Sequence, residues 1–144
     1  MLRGLLGTNA TLVADINLIL QLVIIVVLLA NAVQARQRGL GVRRTLISLA
    51  VVLNALLIIA VMNPSFFRIL PFAVRNPGAP VPILLWPHVL LGATGELIGV
   101  YLMLTSNLAA SNSARPRRVV LRLMLLCWAV ALAVGLAVYI RLYA

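Results

Sequence analysis

The chain has no lysine, one histidine, one cysteine and only two acids, Asp15 and Glu96, among 144 residues. Each shortage excludes a chemistry. A single Cys127 cannot form an intramolecular disulfide, and it says nothing about the compartment. One histidine, His88, cannot ligate a haem from both faces within one chain. Two acids 81 positions apart in sequence form no evident carboxylate pair, and no Ser-His-Asp set, Cys/His metal cluster or glycine-rich phosphate loop is present. The expectation is a protein that is not an enzyme and has no metal centre built from its own clustered ligands.

Charge is scarce as well. Only 10% of residues are charged while 64% are hydrophobic, against about a quarter and about half in soluble domains. A core this small cannot hide that excess, because a chain of this length still exposes roughly a third of its unfolded surface. The surplus must face lipid. The net charge of +10 comes from twelve arginines, most of them in short segments between apolar runs. Topology explains that pattern, so the bilayer and other membrane subunits are the expected partners and nucleic acid is not.

Four runs approach the roughly 20 residues that a helix needs to cross the hydrocarbon layer: 12–32, 45–62, 87–106 and 119–140. They predict a single all-α domain, a polytopic four-transmembrane-helix bundle. The first run contains the small-x-small triplet Ala30, Asn31, Ala32. Its length, and Asp15 near its start, favour a retained span over a cleaved signal. Arginines crowd the first loop (Arg36, Arg38, Arg43, Arg44) and the third (Arg115, Arg117, Arg118, then Arg122). Those loops should be cytoplasmic, with both termini and the second loop outside the plasma membrane of a bacterium. That second loop, 63–86, holds five prolines, and Pro87 closes it. Proline interrupts continuous helix, so a broken, aromatic segment lying along the outer interface or against a partner is expected.

Counting along the spans places Gln21, Asn54 and Glu96 in one layer near the middle of the bilayer, with Cys127 close by. An ionised acid at that depth costs about 2.5–3.5 kcal/mol. Glu96 is therefore expected to be neutral and to donate to Asn54 or Gln21, either as a structural helix-to-helix bond or as a proton- or ligand-accepting group. A second polar cluster, near the outer surface, comprises Asp15, Asn17, Asn63, His88 and Tyr139. His88 is placed to pair with Asp15. It also has two broader readings, as part of an interfacial belt and as a ligand to haem, a chlorophyll-type pigment or a metal.

Helical spacing groups His88, Gly92, Gly95, Glu96, Gly99 and Met103 on one stripe of the third span. Glycines on such a stripe let a second backbone approach closely. In the fourth span, Trp128, Gly135, Tyr139 and Tyr143 share a face at spacings of seven, four and four.

The first span opens with Asn9, Ala10, Thr11 and Leu12, followed by Asn17. The third opens with His88, Val89, Leu90, Leu91 and Gly92, and the last carries Leu126, Cys127 and Trp128, then Gly135 and Tyr139. In these features the chain resembles the four-span bacterial membrane proteins grouped as domain of unknown function 420. Some members of that family are associated with maturation of haem–copper terminal oxidases. The family usually carries several surface histidines, one at the start of the second span. Here that place is taken by Arg44, Thr45, Leu46 and Ile47, so only His88 carries over as a haem or metal ligand. The resemblance implies a small non-catalytic accessory subunit or assembly factor of a respiratory or photosynthetic membrane complex. The alternative is a proton- or cation-translocating component that uses Glu96.

Overall fold

The computed structural model of the chain describes residues 7, 9–33, 40–105 and 114–143. Five α-helices follow in order: α1 Leu12–Val33, α2 Leu40–Leu57, α3 Asn63–Arg75, α4 Pro80–Thr105 and α5 Ala114–Tyr143, with a π-helical segment Ile58–Met62 joining α2 to α3. There is no strand among the described residues. Four stretches are long and apolar enough to cross a membrane: Leu12–Ala30, Thr45–Arg75, Pro80–Thr105 and Arg118–Tyr143. Valine- and isoleucine-rich runs such as 22–29 would suit strands in water. Surrounded by lipid, they are helical because a helix pairs every backbone group within the segment.

Helix α1 starts where Thr11 Oγ1 accepts the Ala14 N–H at 3.3 Å, filling one of the donors that a helix start leaves open. Packing centres on α4 and α5, which form the most extensive helix pair. Met124 and Val51 are fully buried in a core with Ile24, Ile25, Leu28, Leu102, Leu121, Leu125 and Trp128. The outward faces are equally apolar. Leu97 is 72% exposed while Gly95 and Gly99, two residues to either side, are buried. This inversion, with the smallest residues inside and leucine outside, is the packing of a helix solvated by lipid.

The second loop differs from its sequence expectation. Residues 63–75 are helical and α4 begins at Pro80, so only 76–79 interrupt the chain. Position decides what each proline does. Pro80 and Pro82 fall in the first turn of α4, where the missing N–H has no helical partner to lose. Pro71 and Pro87 lie inside helices, each at the cost of one backbone bond. The π segment is the local answer to Pro64. An α-helical bond from residue 64 to the carbonyl of Ala60 is impossible, and the ring crowds that carbonyl. A wider turn forms instead, in which Asn63 N–H reaches Ile58 O and Ser65 Oγ donates to Val61 O at 2.8 Å. The helix running from Thr45 to Arg75 has 31 residues, a length of about 46 Å against a hydrocarbon layer of about 30 Å.

Candidate functional site

The glycine stripe of α4 meets α5 side chain by side chain. A Cβ on Gly95 would lie 2.9 Å from Trp128 Nε1 and 3.2 Å from Cys127 Cβ. The indole therefore occupies the space that the glycine leaves. Gly99 faces Val51 and Met124, at 2.8 and 3.3 Å from the same hypothetical atom, whereas Gly92 has only Ala131 Cβ at 4.0 Å. The contact is reciprocated by Gly135 of α5, where an added Cβ would be 2.6 Å from His88 Cε1 and 2.8 Å from its Nδ1. All five residues expected to pack helices, Gly92, Gly95, Gly99, Trp128 and Gly135, lie at this interface.

Seated over Gly135, His88 has its Nδ1 2.7 Å from the carbonyl oxygen of Ala131. A carbonyl only accepts, so Nδ1 carries the proton of this bond and Nε2 is the ring nitrogen that the bond leaves unused. Gly135 is the reason this bond exists. It stands four residues after Ala131, where any side chain would cover that carbonyl. A metal or haem iron reaching His88 would have to approach Nε2. Among the described residues no three His, Cys, Asp or Glu side chains come together.

The expected pairing of His88 with Asp15 is therefore replaced. Asp15 is completely buried, and Tyr139 Oη donates to its Oδ1. The Tyr139 ring leans on Tyr143 with centroids 5.1 Å apart, and Tyr143 O accepts the Asn9 N–H at 3.1 Å. The beginning of α1 is thus tied to the end of α5. Asn17 has its Oδ1 buried without a protein partner, and Asn63 is exposed. Of the five residues expected in one outer cluster, Asp15 and Tyr139 bond to each other, while His88 follows the gap offered by Gly135 to a backbone carbonyl.

Asn54 Nδ2 donates to Glu96 Oε2 at 2.7 Å: the partner is one of the two expected for Glu96, but the bond runs from the amide to the carboxyl group and not the reverse. Gln21 takes a different one: its Nε2 lies 3.7 Å from Met62 Sδ, a sulfur made available by the π turn. Gln21 and Asn54 nevertheless line the same half-open cavity of about 50 Å³, together with Ile24, Ile58, Gly92 and Trp128. Glu96 Oε1 and Trp128 Nε1 are both buried without a protein partner. Sequence reasoning missed the Ala131 carbonyl, the Met62 sulfur and this cavity. The available signals were the Ala131–Gly135 spacing and Pro64 shortly after Met62. No family model, curated protein or solved structure matches the chain.

Proposed function

We propose that the chain is a non-catalytic accessory or assembly protein of a larger complex in a bacterial plasma membrane, with both termini outside. One observation carries this reading. Among the described residues, both acids and the histidine make a bond between helices: Asp15 with Tyr139, His88 with the Ala131 carbonyl, Glu96 with Asn54. Such groups fasten helices. The outward face of α3 adds a place for a partner, since Phe67, Phe72 and Val74 are exposed beside Arg68 and Arg75. Aromatic and arginine side chains are those that interfaces favour. The arginine asymmetry supports the orientation, and the resemblance to the four-span family supports a haem–copper oxidase-like complex as the partner.

The chain should co-purify from native membranes in mild detergent with a haem-absorbing multi-subunit complex. Phe67→Ser with Phe72→Ser should release it while leaving the bundle folded. Elution only as a lone oligomer would overturn the proposal.

The unpartnered Glu96 Oε1 favours a second reading, translocation of a proton or cation. Substitution separates the two. If Glu96 is a fastener, Glu96→Gln should be almost silent in thermal unfolding, because the amide still accepts from Asn54. Glu96→Leu should cost about 1–2 kcal/mol plus the penalty for the stranded Asn54 amide. A translocator would instead lose flux in liposomes with Glu96→Gln while folding stayed intact.

A further inference from the structure

The π turn leaves polar groups on the outward side of the bundle. A helical carbonyl accepts from the amide four residues on, or five residues on in a π turn. For Ile59 O the first of these amides is that of Asn63, which is spent on Ile58 O. The second belongs to Pro64, which has no N–H. Ile59 is 65% exposed, and Ala60, Asn63 and Pro64 are exposed beside it, so this carbonyl lies on the outward side. The side-chain amide of Asn63 stands one turn above it. Other polar side chains on outward faces turn back on their own helix: Ser65 to Val61 O, Asn76 to Phe72 O and Thr94 to Leu90 O. Asn63 is spaced to do the same with Ile59 O, yet its side chain makes no hydrogen bond among the described residues.

Depth makes both groups costly. Counted from Asn54, which its place in the span puts near the middle of the bilayer, Ile59 lies about 7.5 Å and Asn63 about 13.5 Å outward. Both levels fall inside a hydrocarbon half-layer of about 15 Å. Lipid tails offer neither donors nor acceptors, and a polar backbone group left unpaired among them is penalised. Headgroups can reach the level of Asn63 but not that of Ile59. The donor for Ile59 O has to come from protein.

A second copy supplies it. Copies inserted with one topology stand parallel, with equal residues at equal depth. A pair is then related by a two-fold axis along the membrane normal, and each contact occurs twice. Helical side chains lean back toward the N-terminus, while carbonyls point toward the C-terminus. The Asn63 amide of one copy therefore leans toward the Ile59 carbonyl of the other, which points up to it. Ala60 lies between them and is small enough for two backbones to come close. Leu56 and Val52 continue the exposed stripe toward the middle of the layer. Donor, acceptor and small residue on one patch make the contact self-complementary.

We propose that this patch is a homodimer interface, in which the Asn63 amide of each copy donates to the Ile59 carbonyl of the other. The interface does not depend on the accessory reading, and it lies deeper in the membrane than the α3 face.

Cysteine cross-linking of the full chain in bacterial membranes tests it, on a Cys127→Ala background so that no native thiol competes. With an oxidant, Ala60→Cys should form a dimer. Leu97→Cys, at a position 72% exposed on α4, should stay monomeric. Asn63→Leu should lower the dimer yield at Ala60→Cys several-fold. Energy transfer between labelled copies in liposomes gives a second measurement that needs no cysteine at the contact. It should be strong for the unaltered chain and several-fold weaker with Ala60→Phe, which holds the backbones apart. Equal dimer yields at Ala60→Cys and Leu97→Cys would reduce the contact to random collision and overturn the proposal. So would a yield unchanged by Asn63→Leu, energy transfer unchanged by Ala60→Phe, or cross-linking of Ala60→Cys only to a different chain.

Discussion

Gly95→Leu is expected to lower the thermal unfolding midpoint in mild detergent more than any other single change on the glycine stripe. A side chain at Gly95 meets the indole of Trp128 and the Cβ of Cys127. Neither can swing aside, since Trp128 is a rigid ring held in the core and a Cβ moves only with its backbone. The helices must separate, and overpacking of this kind costs about 1–3 kcal/mol or more. Gly95→Ala should already be felt. Gly99→Ala should cost less, because Met124 is flexible, although Val51 is not. Gly92→Ala should be neutral or mildly stabilising: the added methyl finds ordinary contact with Ala131, and a helix gains up to about 1 kcal/mol when glycine becomes alanine. Ala93→Leu, on the exposed face, serves as the control. Tryptophan fluorescence or circular dichroism during heating would read the series. Equal losses at Gly95 and Gly92 would rule out close approach at Trp128 as its cause.

The second large effect is expected at the tie between α1 and α5. Tyr139→Phe removes a donor from a carboxyl group with no exposed surface. The loss should be about 1–3 kcal/mol, the range for a buried polar group that loses a bond. Asp15→Leu should also destabilise, but the double variant should be less damaged than the two single losses added together. Replacing both partners by apolar groups removes the need for the bond along with the bond. A coupling of about 0.5–3 kcal/mol is expected from the cycle, measured by the same unfolding assay. Additivity of the two changes would show that Asp15 is held by its other neighbours and that Tyr139 contributes only its ring.

These two sites also separate what could be read from the chain from what could not. Four spans, an all-α bundle and a polar layer followed from run length and depth. Both are one-dimensional quantities, because a helix advances a fixed distance per residue and lipid penalises charge according to depth alone. The pairing of Glu96 with Asn54 was legible for that reason: two polar residues at one depth in a bundle of four have few other partners. The glycine stripe was legible too, since its period is that of the helix.

Lateral partners were decided only by the tertiary structure. His88, Asp15 and Tyr139 were assigned to one level. Which of them touch depends on how each helix is rotated about its axis and on the gap left by Gly135. Imidazole reached a backbone carbonyl, a partner that every residue possesses and that no sequence pattern marks. Gln21 and Glu96 were assigned to one depth but share no bond, and Gln21 meets Met62 of the π turn before Pro64 instead. The prolines of 63–86 suggested a broken loop by their number, yet most of the segment is helical because Pro80 and Pro82 fall in a first turn, where no helical bond is lost, and the π turn accommodates Pro64. Depth and period are set by the local chain. Rotation, gaps and turn phase are set by what packs against it.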